Sequence, residues 1–70
     1  MAMQEFREIL MDIDRSYEGF VDMITGYIMM TGNYDKMAVV ADYINENPDI
    51  DSSGVLHYMV DELGILSRTA

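Results

Sequence analysis

Apolar positions over the first thirty residues follow a repeat. Met3, Phe6, Leu10, Ile13, Tyr17, Phe20, Ile24 and Tyr27 recur at alternating steps of three and four. That spacing lines one face of a helix for more than three heptads. The opposite face carries Glu5, Glu8, Asp12, Arg15, Glu18 and Asp22, as a solvated face does. An unbroken helix over 3–30 would run about 42 Å, whereas a compact chain of 70 residues has a radius of gyration of about 11 Å. Two arrangements meet both conditions. The helix breaks near Asp14 and Ser16, both good N-caps, giving helices near 3–14 and 16–31; or one continuous helix is covered by a second copy of the chain. The break is the favoured expectation. Gly19 and Gly26 lie seven apart on one face, where each weakens the helix by up to ~1 kcal/mol and admits the close approach of another backbone.

Downstream the punctuation is clear. Thr31-Gly32-Asn33 is a stop and restart, with Gly32 suited to a left-handed C-terminal cap and Asn33 to an N-cap. Residues 34–46 then predict a helix with Met37, Val40, Ala41 and Ile44 along one side. Asn47-Pro48 ends it, because the residue before a proline is pushed out of the helical region. Asp51 caps a last helix over 52–63, Ile50 sits where a hydrophobic staple to Val55 would place it, and Val55, Leu56, Met59, Val60 and Leu63 form the apolar face. Gly64 followed by Ile65 matches a Schellman ending in which Ile65 packs back on Val60. No β-hairpin signal interrupts this order. The expectation is all-α: a small compact bundle of three or four helices, the first two continuous or broken. No linker, repeat or low-complexity run divides the chain, and its charge is even, −5 over residues 1–35 and −4 over 36–70. One helical domain, 1–70, follows.

Charge and composition narrow the function. Four basic against 13 acidic residues give a net charge of −9, which opposes nucleic-acid and anionic-membrane partners, whose phosphates need Lys and Arg. Half of the residues are apolar, too many for a disordered acidic tail. The chain has no Cys, which removes disulfide scaffolds, zinc fingers and thiol nucleophiles and fits a reducing cytoplasm. An N-terminus with Glu5, Glu8 and Asp12 does not read as a signal peptide. The longest charge-free run, residues 23–34, falls well short of the ~20 residues that span a bilayer. Val, Ile, Leu, Met, Phe and Tyr together number 31, whereas a core in so short a chain holds about 15 to 20 large side chains. Either a sticky surface or an oligomer absorbs the excess.

Several motifs approach known chemistry and stop short. Asp49-x-Asp51-x-Ser53-Gly54 opens like a calcium-binding EF-hand loop, but position twelve is Val60 where a bidentate Glu belongs. A capped helix start is the simpler reading. The run INENPDIDSSGVLHYMVDELGI, within residues 37–65, resembles the first two helices of a helix-turn-helix or winged-helix domain. That resemblance implies a third, basic helix for the major groove, and only Leu66-Ser67-Arg68-Thr69-Ala70 remains to supply one. His57, the sole histidine, lies four residues after Ser53 on the last helix, yet no oxyanion hole or nucleophile turn accompanies the pair. Asp12/Asp14 and Asp61/Glu62 read as solvated faces rather than acid–base couples. A chain this size rarely encloses a substrate pocket, so neither an enzyme nor a small-molecule substrate, cofactor or metal is expected.

The remaining anomaly is MITGYIMMTGNY, residues 23–34. Ile24 and Tyr27 belong to the seam, but Met23, Ile28, Met29 and Met30 widen the apolar arc until it nearly encircles the helix end. Flexible Met and amphipathic Tyr are frequent on protein-binding surfaces. Met23, Tyr27, Ile28, Met29, Met30 and Tyr34 are therefore the candidate interaction surface.

The runs YEGFVDMITGYIMMTGN and YINENPDIDSSGVLHYM, with the chain's size, resemble a family of small transposon-encoded proteins of Gram-positive mobile elements. The resemblance spans about residues 6–65 and implies a small helical protein with no established biochemical activity and no ligand residues to carry over. The expected function is a small acidic cytoplasmic interaction protein, an accessory or regulatory factor of such an element, binding another protein or weakly binding itself. The alternative is an acidic mimic of nucleic acid that occupies the basic groove of a DNA-binding protein.

Overall fold

The computed structural model describes residues 1–13, 16 and 18–65. Among these, four helices and no strand form a single bundle: α1 (Met3–Met11), α2 (Phe20–Thr31), α3 (Met37–Glu46) and α4 (Ser52–His57). A 3-10 turn, Tyr34–Lys36, leads into α3, and a π-helical segment, Tyr58–Glu62, continues α4. The radius of gyration is 11.1 Å and the longest extent 32 Å, so no 42 Å rod is present. The fold is the all-α bundle that the patterning predicts.

The first helix pair breaks where the sequence places the interruption, with residues 14–16 inside the stretch between the end of α1 and the start of α2, though the break is wider than expected. α1 ends at Met11 rather than near residue 14 because the chain tightens there, the N–H groups of Asp12 and Ile13 donating three residues back, to Ile9 and Leu10, at 3.3 and 3.2 Å. This turns Ile13 into the core. α2 begins at Phe20 rather than 16, since Gly19 holds φ +85°, a left-handed conformation outside the helical region. Ser16 is exposed and outside any helix; Asp14, Arg15 and the seam residue Tyr17 lie outside the described residues. Among the described residues, no atom beyond the chain neighbours and the helix's own backbone lies within 4 Å of where a Cβ would stand at Gly19 or Gly26, so the close backbone approach expected at them is not made there.

Among the described residues, eleven buried side chains form the core, Phe6, Leu10, Phe20, Ile24, Val40 and Met59 among them, with seven partly buried ones packed against it. Of the seam residues, Phe6, Leu10, Ile13, Phe20 and Ile24 are buried in this one core, Met3 packs partly against it and Tyr27 is half-buried. One polar bridge ties the two helices: Arg7 donates to the Asp22 carboxylate at 3.0 Å and to Thr25 Oγ1 at 3.3 Å. The Thr25 hydroxyl donates to Val21 O at 2.9 Å, so this buried polar group is satisfied within its own helix.

The last helix starts as predicted. Asp51 caps α4, its carboxylate accepting from the Gly54 N–H at 2.9 Å, and Ile50 folds over the first turn onto the core. Gly64 ends the segment at φ +66°, and Ile65 is buried in the core. Its N–H bonds Met59 O at 2.9 Å, one residue further back than in a regular Schellman ending. The π turn, with Leu63 N–H to Tyr58 O at 3.1 Å, supplies the extra residue.

Candidate protein-interaction surface

Of the six residues singled out by composition, Met23 lies in the first half of α2, Tyr27, Ile28, Met29 and Met30 in its second half, and Tyr34 in the turn beyond it. Gly32 takes the left-handed conformation expected of it, φ +69°. The N–H groups of Gly32 and Asn33 both reach back to Ile28 O, and the Thr31 hydroxyl donates to Tyr27 O at 2.7 Å. This closure satisfies carbonyls that the helix end would otherwise leave open. Asn33 occupies the N-cap position of the following turn, but its side chain makes no capping bond; its carbonyl accepts from Lys36 N–H at 2.9 Å instead.

That geometry divides the six residues. Ile28 is wholly buried and leaves the candidate surface: because α2 starts afresh at Phe20, its core stripe steps by four through Phe20, Ile24 and Ile28. Met23 packs partly against the core, and Tyr27 is half-buried. Met29, Met30 and Tyr34 are 58%, 82% and 50% exposed. Met23, Gly26, Tyr27 and Met30 follow the spacing of a second helical stripe, running from half-buried at Met23 to open at Met30. Gly26 leaves a notch in it. Met1, Met11 and Val39 are the other exposed large apolar side chains among the described residues. The stripe carries no carboxylate, amine or imidazole, so what this surface offers is apolar contact, adaptable through the Met thioethers, with the Tyr27 phenol within it and the Tyr34 phenol at its edge.

The other motifs resolve into structure. Asp51, second acid of the EF-hand-like run, is committed to the α4 cap. His57 pairs with Asp61 rather than Ser53, Nδ1 lying 2.9 Å from Oδ2 across one exposed helical turn. Sequence reasoning does not reach two features. One is the Arg7–Asp22–Thr25 bridge, whose partners are 15 and 18 residues apart and carry no local signal. The other is a groove of about 640 Å³ between the C-terminal ends of α1 and α3, lined by Ile9, Ile13, Ile44 and Ile50 with Asp12 and Asn45.

Among the described residues, no helix is long and apolar enough to cross a membrane. No protein-family model matches the chain. No curated protein matches it, and no solved structure does.

Proposed function

We propose that the chain is a small acidic interaction protein that docks a protein partner through the end of α2, with Met29, Met30 and Tyr34 as contact residues and the half-buried Met23 and Tyr27 as their continuation. The observation that carries this reading is Met30, 82% exposed on a helix whose other face is fully covered. Fully burying a Met side chain contributes about 1.5–3 kcal/mol, so a few such residues, set against lost rigid-body freedom and side-chain ordering, support a micromolar contact rather than a permanent one. A cytoplasmic setting fits the absence of Cys, and the resemblance to transposon-encoded proteins supports an accessory or regulatory role on a mobile element.

A photoreactive residue placed at position 30 and expressed in the native host tests the reading. One discrete adduct from position 30, abolished by Met29→Lys, is the expected result. Adducts equally abundant from a probe at the exposed Asp42 overturn it. Apolar docking should persist in 0.5 M salt, where the Debye length falls below ~5 Å. A complex that dissolves there instead identifies the acidic surface as the contact and the chain as a mimic of nucleic acid.

A further inference from the structure

The groove between α1 and α3 lies at the other end of the bundle from Met30. α3 separates them: Tyr34 stands just before its N-terminus, the groove holds its C-terminal residues Ile44 and Asn45, and a ten-residue helix is about 15 Å long. The floor is aliphatic and the rim is not. Ile9, Ile13, Ile44 and Ile50 line it together with the Asp12 carboxylate, the Asn45 amide and the Pro48-Asp49 turn. No cation lines it among the described residues. The guanidinium of Arg7, on the same helix as Ile9, is engaged by Asp22.

We propose that this groove docks a basic, aliphatic peptide segment of a partner protein. An arginine or lysine of that segment lays its methylene stem along Ile9, Ile13 and Ile44 and turns its charged head to Asp12 and Asn45. Three observations carry this. The volume, about 640 Å³, falls in the ~300–1,000 Å³ range of occupied pockets. The pairing of an aliphatic floor with a carboxylate and an amide oxygen suits a cationic side chain, whose stem is apolar and whose head donates hydrogen bonds. Asp12 and Asn45 are both exposed, and neither side chain makes a hydrogen bond among the described residues.

The shape favours a chain segment over a compact amine. Beyond the Pro48-Asp49 turn a second hollow of about 350 Å³ begins, sharing Pro48, Asp49 and Ile50 with the first and adding Tyr43, Glu46 and Gly54. The track thus crosses the turn and ends beside another carboxylate. Docking here is independent of the α2 surface, so the two together allow one small chain to hold two partners at opposite ends.

The test uses the full chain labelled with 15N and a six-residue peptide alternating leucine and arginine, blocked at both ends. Its glutamate-for-arginine counterpart is the control. Amide signals of Ile13, Ile44, Asn45 and Ile50 should shift with the arginine peptide and stay in place with the glutamate one. Asp12→Lys should weaken binding at least tenfold; a cation at a helix C-terminus is favourable, so this variant keeps its fold, as circular dichroism will confirm. Asp35→Lys, the same change of charge on the 3-10 turn at the far end, should weaken binding less than threefold. Equal weakening by both variants reveals diffuse attraction to an acidic protein and overturns the proposal. So do shifts confined to residues 29–34, or no shift at 1 mM peptide.

Discussion

The rings of Tyr43 and Tyr58 lie face to face, 3.7 Å between centroids and 4° from parallel, and they clamp α3 to the start of the π segment. Aromatic pairs more commonly settle at ~4.5–7 Å in offset or edge-on arrangements. At that separation the stacked ring faces repel as quadrupoles, which offsets part of the gain from their contact. Their coupling should fall at the low end of the usual range. A double-mutant cycle with Tyr43→Leu and Tyr58→Leu is expected to give about 0.5 kcal/mol of interaction energy by urea unfolding. A value above ~1.5 kcal/mol would mean that the stack itself, and not the packing around it, joins α3 to α4.

Two glycines should respond to alanine with opposite sign. Gly26 stands in mid-helix with open space where a Cβ would go, so Gly26→Ala is expected to stabilise the fold by about 0.5–1 kcal/mol. At Gly54 a Cβ would stand 2.7 Å from Ile50 Cγ1 and 3.2 Å from its Cδ1. Ile50 must then shift from its place over the first turn, and Gly54→Ala should destabilise despite its better helix propensity. Combining it with Ile50→Ala should make Gly54→Ala neutral or favourable. Thermal unfolding of the four variants checks this, and a stabilising Gly54→Ala in the wild-type background overturns it.

These positions show what local chemistry can and cannot reveal. Asp51 and Gly64 are legible because each acts on backbone groups a few residues away, a carboxylate capping the Gly54 N–H and a left-handed turn closing a helix. The break after α1 is legible as a need, since a 42 Å rod does not fit, and in its place, since residues 14–16 lie inside it, but its width and the left-handed Gly19 that bounds it are not. Ile13 is drawn inward by a core assembled from all four helices, and that pull is not encoded next to it. Ile28 carries the same lesson. A heptad reading continued from Met3 assigns Tyr27 to the core, whereas a helix restarted at Phe20 drifts at 3.6 residues per turn and buries Ile28 instead. The exposed Met29 and Met30 are visible in the composition because the apolar arc is too wide for one face. The groove at Asp12 and Asn45 joins residues 33 apart in the chain and leaves no trace in any window.

The methionines divide into a spent and a spared group, which mild peroxide can read. Oxygen transfer to a thioether requires access to the sulfur and converts an apolar side chain into a polar sulfoxide. Met30, at 82% exposed, should oxidise first, with Met11, Met29 and Met1 following. Met37 and Met59, in the core, should remain reduced while the fold persists. Peptide mapping by mass spectrometry after graded exposure gives the order directly. Oxidation of Met59 ahead of Met30 would place the π segment on the surface and contradict the burial on which the candidate site rests. Under the proposed function, a chain carrying sulfoxide at Met29 and Met30 should also lose its partner while keeping its helix content.

Self-association should be weak, and raised by salt. The seam of α1 and α2 offers a partner copy little, because Phe6, Leu10, Phe20 and Ile24 are buried in the chain's own core. What remains is the stripe ending at Met30. Burying even about 400 Å² per partner there gives a gross gain near 20 kcal/mol at ~25 cal/mol per Å², most of which is offset by lost rigid-body freedom and side-chain ordering. Two copies at −9 each also repel one another, a penalty that screening reduces. Sedimentation at 10 µM should therefore show the 8.0 kDa chain alone. At 500 µM in 0.5 M salt the average mass should rise, and Met29→Lys with Met30→Lys should abolish that rise without changing the circular dichroism. A constant 8.0 kDa species under every condition rejects the homodimer and leaves a different protein as the occupant of the α2 surface.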